Sequence, residues 1–173
     1  MSAKGFVVAQ DGHVANLISP VSAGAAETAR RFNMANWHHA SILLQFGAAG
    51  GPIGAITVSV YNAETGGSGV AIPYALFKQE AASAPFDVWA GNTATNSGRF
   101  PQTATGYTPA ADVANAMYAI EIDAAEVLAA ANGTYIELDI AVGSLGTTPQ
   151  LLSALAVLSA GRYTSDESAS AQV

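Results

Sequence analysis

The sequence predicts an all-β fold: an antiparallel β-sandwich with one short helix and an extended N-terminal arm. Three observations carry this. First, Tyr118, Ile120 and Ile122 alternate with Ala119, Glu121 and Asp123, and Ile136, Leu138, Ile140 and Val142 alternate with Tyr135, Glu137, Asp139 and Ala141. Successive side chains of a strand point to opposite faces, so both runs read as strands with an apolar face inward and an acidic face toward water. Second, several other short strand-like runs are separated by Gly- and Pro-containing turns. Third, only the segment between the two alternating runs reads as a helix. Asp123 can cap its first N–H groups, Glu126 stands at the reciprocal position, and Asn132-Gly133 supplies a left-handed stop. The strands flanking this helix are expected to pair with each other.

In chain order, residues 1–35 show no sustained period and read as the extended arm. It holds a short apolar run at Phe6 to Val8 and is interrupted by Pro20 and Gly24. Residues 36–163 form the sandwich. Ile42 to Leu44 with Phe46 make a continuous apolar run closed by a Gly-rich turn, which fits a strand covered on both faces or nearly so. Ile56, Val58 and Val60 alternate with Thr57, Ser59 and Tyr61. Glu64 to Gly69 is a turn. Val70 to Glu80 reads as a strand pushed to an edge or bulge by Pro73, which cannot donate to a ladder. Pro85 to Asn92 is a shorter strand candidate. Asn92 to Asp112 is a long polar excursion, a contact surface or a mobile loop. Leu151 to Tyr163 suits either period and is read as a buried strand completing the sandwich. Residues 164–173, small and polar, read as a flexible tail.

Composition narrows the function. Half of the 173 residues are hydrophobic and only 11% are charged, against about 25% in an ordinary globular domain. A surface this poor in charge favours a component that other protein covers. The net charge is −7, and the six cations are scattered. No basic stripe exists to neutralise phosphates, so nucleic acid is not an expected partner. No stretch approaches the ~18 uninterrupted apolar residues of a membrane span, so no membrane is expected either. There is no cysteine, which leaves no disulfide or thiolate chemistry. The first residues carry too short an apolar run for a secretory signal, so synthesis in a cytoplasm is expected.

The residues that could carry chemistry are few. His38 and His39 are adjacent, face opposite sides of a strand and cannot easily chelate one ion; a zinc site needs about three converging ligands. Glu121, Asp123, Glu137 and Asp139 would share a face if their strands pair. Two of them could then act as acid and base in glycoside hydrolysis or as calcium ligands, although a hydrated strand face shows the same spacing. The Gly-rich stretches lack both the dinucleotide order and a P-loop Lys, and no nucleophile elbow occurs. Trp37, Trp89, Tyr61 and Tyr74 could form a sugar-stacking platform, or pack in the core. No catalytic residue, cofactor or metal is expected.

The order of features resembles a known class. A Pro-containing irregular arm leads into FNMANWHHASILLQFGAAGG; then come AITVSVYNAE, YAIEIDA with YIELDIAV, and LLSALAVLSAGRY. Over about residues 30–163 this resembles small structural proteins of tailed bacteriophages, including capsid decoration (cement) proteins with a jelly-roll-like β-sandwich. The resemblance implies non-enzymatic stabilisation of the head shell, with the major capsid protein and further copies of the chain, as a homotrimer, for partners, and the capsid surface of the virion for location. Phe6, Val7, Val8, Arg30 and Arg31 of the arm are the expected contacts to shell or neighbour. On that reading, deleting residues 2–20 weakens capsid binding and leaves the fold intact. Another virion part, in the tail or at head completion, and a carbohydrate-binding module are the alternatives.

Overall fold

The computed structural model describes residues 12–47, 53–79, 100–101, 106–109, 114–131, 133–142 and 150–161. Phe6 to Val8, Trp89, most of the 92–112 excursion and the 164–173 tail lie outside them. In chain order the elements are β1 (Gly12–Ala23), β2 (Glu27–Thr28), β3 (Phe32–Asn33), β4 (Trp37–Phe46), β5 (Ile53–Tyr61), β6 (Val70–Ile72), β7 (Ala75–Gln79), β8 (Phe100–Pro101), β9 (Met117–Asp123), α1 (Ala124–Ala131), β10 (Tyr135–Val142) and β11 (Gln150–Gly161).

Among the described residues these strands form two antiparallel sheets. One is six-stranded, in the order β1-β11-β4-β9-β7-β8; the other runs β2-β10-β5-β6, with β3 also paired to β10. Set aside β3, β7 and β8 and count the other eight strands along the chain. They lie as 1-8-3-6 and 2-7-4-5, the wrapped order of a jelly roll.

The alternation seen in the sequence becomes the core. Ala40, Ile42, Leu44 and Phe46 of β4 point inward, as do Ile56, Val58 and Val60 of β5, and Tyr118, Ile120 and Ile122 of β9. From β11, Leu152, Ala154, Ala156 and Leu158 join them. Tyr118, Phe32 and Phe46 are the bulkiest of the fully buried side chains. Leu151 to Gly161 is therefore strand, with Leu151 and Leu155 on the outer face.

Three expectations change. The strands flanking the helix do not pair with each other. β9 pairs with β4 and β7, β10 with β5, β2 and β3, and α1 carries the chain from one sheet to the other. The alternation was right, but it specifies which side of a strand is buried and not which strand lies beside it. Next, the arm, expected either to lie along the domain or to reach a neighbour, contributes β1, β2 and β3 to the sheets over residues 12–33. β1 pairs with β11 over most of its length and buries Ala15, Leu17, Ile18 and Ala23. Its period is hidden because register shifts between Asn16 and Val21 reset the alternation near Pro20. Deleting residues 2–20 therefore removes most of a core strand and is not neutral for folding. Finally, the run from Val70 to Gln79 is two strands. Pro73 ends β6 in one sheet, and β7 begins two residues later in the other.

The helix start matches its sequence signature: the backbone N–H of Asp123 donates to Glu126 Oε2 at 3.1 Å. The stop differs. Gly133 is not left-handed; it is needed because a Cβ there would lie 2.4 Å from the carbonyl oxygen of Tyr61. Ala124 and Val127 are buried, so α1 closes one end of the sandwich against β4, β5, β6 and β9.

Within the long excursion, Gly106 to Pro109 are described and anchored. Tyr107 exchanges two backbone hydrogen bonds with Ile56, at 2.8 and 3.1 Å. It takes the edge of β5 just beyond the place β6 covers. The buried Tyr74 hydroxyl donates to the Ile56 carbonyl at 2.5 Å and accepts from the Tyr107 N–H at 3.1 Å. Its burial raises the phenol pKa well above the usual value. Gly106, at φ +80°, leaves no room for a side chain against the Ile56 carbonyl. Removing one buried hydroxyl should therefore cost more than a surface change: Tyr74→Phe loses the hydroxyl's bonds to Ile56 and Tyr107, which keep their mutual backbone pair, and is expected to lower stability by about 0.5–1.5 kcal/mol. Urea denaturation checks this, and an unchanged midpoint contradicts it.

Candidate functional site

The described surface holds a guanidinium clamp, a histidine between two carboxylates, and an apolar stretch of sheet face.

The clamp is Arg31, between β2 and β3. Its Nε donates to Glu137 Oε2 at 2.9 Å. Nη1 lies within reach of the carbonyls of Ala63 (3.1 Å), Glu64 (3.3 Å) and Gly66 (2.7 Å), and the guanidinium carbon sits 3.4 Å from the centre of the Tyr61 ring. One side chain thus ties the β5–β6 turn to β10. A planar fork with several donors can do this and an ammonium cannot. The side chain is only 12% exposed, so these contacts engage much of what Arg31 could offer a partner. Arg30 is exposed, and its backbone N–H donates to the Leu17 carbonyl at 3.1 Å.

The carboxylates sort by sheet. Glu121 and Asp123 stand on the outer face of β9, whereas Glu137 is on β10 in the opposite sheet, with Arg31. Asp139 is also on β10, opposite Thr28 and Thr57. Glu121 and Glu137 therefore do not form the acid–base pair that a shared face would give. The partner of Glu121 and Asp123 is His39 on β4. Its Nδ1 is 2.7 Å from Asp123 Oδ1 and its Nε2 is 2.6 Å from Glu121 Oε2; Ser41 Oγ donates to the same Glu121 oxygen at 2.6 Å. Burial disfavours a charged imidazole here, but the hydrogen bonds to Asp123 and Glu121 and their negative charge outweigh it. The His39 pKa therefore lies above the usual 6.5.

Ser41, His39 and Asp123 stand in the sequence of a nucleophile, base and orienting acid, with Ser41 Oγ 3.4 Å from His39 Nε2. The chemistry fails on one contact. Glu121 occupies the Nε2 position that the serine proton would need, and an imidazolium has no lone pair to accept it. Among the described residues, no group of three or more His, Asp or Glu is placed to hold a metal ion. The sequence did not show this cluster. Its signal lies in register: His39 is opposite Asp123 and Ser41 opposite Glu121 on paired strands 84 and 80 residues apart.

The third feature is the outer face of the six-stranded sheet. Asn16, Leu155, Leu43, Ala119 and Phe77 follow one another in register across five strands. Val14 and Leu151, 48% and 51% exposed, flank this row, and Leu155 itself is 37% exposed. A shallow groove of about 320 Å³ runs between Val14, Pro20, Leu43, Met117 and Leu155, and none of its described lining is charged. Among the described residues the expected aromatics make no such platform: Trp37 and Tyr74 are buried, and Tyr61 lies under Arg31.

The described residues thus define a two-sheet β-sandwich of jelly-roll order in which the carboxylate pair is occupied by an imidazole. Comparison with known proteins finds no matching protein family and no matching curated protein. Among solved structures, the chain is similar to the crystal structure of SPBc2 prophage-derived protein YomS, at 9% identity and a TM-score of 0.44. That match covers 86% of this chain and 94% of the other. At this identity and score the likeness assigns this chain no function, and the sandwich rests on the strand pairing above.

The clamp predicts a specific ranking. Arg31→Ala removes a shielded ion pair, the carbonyl contacts and the ring stacking together, and should cost about 2–4 kcal/mol. Arg31→Lys should recover less than half of that. Denaturant midpoints for the two variants check it; equal stability of Arg31→Lys and the parent would contradict the fork geometry.

Proposed function

We propose that the chain is a bacteriophage virion protein of the capsid-decoration kind, which binds the head shell non-covalently beside further copies of itself and stabilises it. The observation that carries this reading is the outer face of the six-stranded sheet. Val14, Leu43, Leu151, Leu155 and Phe77 give it apolar surface, and its central groove has no charged lining among the described residues. An apolar stretch of sheet face around an uncharged groove buries well against protein and does nothing for a reaction. Contacts of this size are weak singly and become strong through repetition over a symmetric shell.

Two further observations support it. The element order resembles capsid decoration proteins, and the strand order is that of a jelly roll. The charge content of 11% leaves a surface suited to being covered. Arg30 keeps its proposed place as a contact, exposed beside β2. The sheet face replaces Arg31 as the principal surface, because Arg31 is engaged within the fold.

The test uses purified heads that lack the protein. The parent chain is expected to co-sediment with them at a fixed ratio of copies to capsid subunits. Leu155→Asp places a charge in the row, at a position exposed enough to spare the fold, and should weaken binding at least tenfold with an unchanged melting temperature. Failure of the parent chain to bind heads would reject capsid decoration, and equal binding by Leu155→Asp would reject this face as the contact.

A further inference from the structure

We propose that His39, gripped by Glu121 and Asp123, is a proton-operated latch that fastens the β9–α1 corner to β4 and releases it when the ring loses its proton. The inference is independent of any capsid partner. It starts from two distances: each ring nitrogen of His39 lies within 2.7 Å of a carboxylate oxygen, one on Asp123 and one on Glu121. A carboxylate accepts and does not donate, so both contacts are hydrogen bonds only when both nitrogens carry protons. The neutral ring has one N–H. Its other nitrogen then faces a carboxylate oxygen lone pair to lone pair at contact distance, and one arm of the grip must open. The proton leaves to solvent, and no bond between heavy atoms forms or breaks.

The position gives that opening a consequence. Asp123 is the last residue of β9 and the residue from which α1 starts. Its N–H is held by Glu126 in the first turn. α1 closes the end of the sandwich with Ala124 and Val127. A shift of Asp123 away from β4 therefore acts on the first turn of α1, while Glu121 stays held by Ser41. The surroundings offer no substitute cation among the described residues. From β11 the residue opposite His39 is Ser159, and beyond it on β1 stands Gly12. On the other side, Ala75 of β7 lies opposite Glu121. The charged groups facing the ring are Glu121 and Asp123 of β9, with Glu126 of α1 behind them. Arg31 is committed to Glu137 and Lys78 to Tyr107.

The direction of the pH effect follows from linkage. The folded-state pKa of His39 is raised above 6.5, so the stabilisation is fully present below 6.5. It is lost as pH rises through the folded-state value. Over that window the equilibrium for opening the corner should shift by up to tenfold per pH unit.

The experiment follows the full chain by NMR from about pH 6 to about pH 9, the range in which histidines titrate and shift. His39 ring resonances give the protonation state, and amide exchange of Asp123 to Leu128, corrected for its intrinsic pH dependence, gives the opening. The expected result is a His39 pKa above 6.5, with protection of these amides falling as that pKa is passed. His39→Gln should show no such step. Glu121→Gln and Asp123→Asn, which leave the ring in place, should each lower the His39 pKa. A His39 that titrates at or below 6.5 would overturn the proposal. So would protection that is flat in the parent, or that steps equally in His39→Gln.

Discussion

The layer between the two sheets is the constraint the rest of the molecule obeys. Ile42, Leu44, Ile56, Val58, Ile120 and Ile122 are wholly buried there, and they come from strands that alternate between sheets along the chain. Each passage from one sheet to the other must therefore be made at an end of the sandwich. Among the described residues two of these passages have plain devices: Pro73, which cannot extend a ladder, divides β6 from β7, and the short helix α1 carries the chain from β9 to β10. Apolar area in this layer supplies the stabilisation, and the polar features described above settle how its edges and ends are closed.

Much of this was legible in the residues. Period-two alternation gave β5 and β9 with the inward face of each, and β10 as a strand; a continuous apolar run gave β4, which proves buried on one face only; and the Asp123–Glu126 pair gave the helix start. The pairing of strands was not legible. A strand's pattern states which side it buries but carries no address for its neighbour, and the neighbours of β4 are β9 and β11, more than seventy residues away. The same limit hid the His39 cluster, which exists only through register. β1 was hidden for a different reason: shifts near Pro20 put Leu17 and Ile18 both in the core, so the run has no single period. Leu151 and Leu155 looked like a helical stripe because a strand in a charge-poor protein can carry leucine on its outer face as well as its inner one.

That outer face links architecture to role. A strand face exposed to water normally carries charge and hydroxyls, and the acidic end of this sheet, at Glu121 and Asp123, follows the rule. The other end does not: Val14, Leu151 and Leu155 are left open beside an uncharged groove. On the proposed function, this second apolar surface is the one that meets the shell or a neighbouring copy. Arg31 illustrates the converse. It reads as a contact residue in the sequence, yet the fold spends it on the β5–β6 turn, because a guanidinium beside Glu137, Tyr61 and open carbonyls is held more strongly there than at a wet rim.

A cryo-electron-microscopy reconstruction of heads saturated with the chain tests the central claim most directly. The account requires density for repeated copies on the shell, each with the β1-β11-β4 face turned toward capsid or a neighbouring copy and Leu155 out of solvent. Copies bound through another surface, with this face open to water, would contradict it.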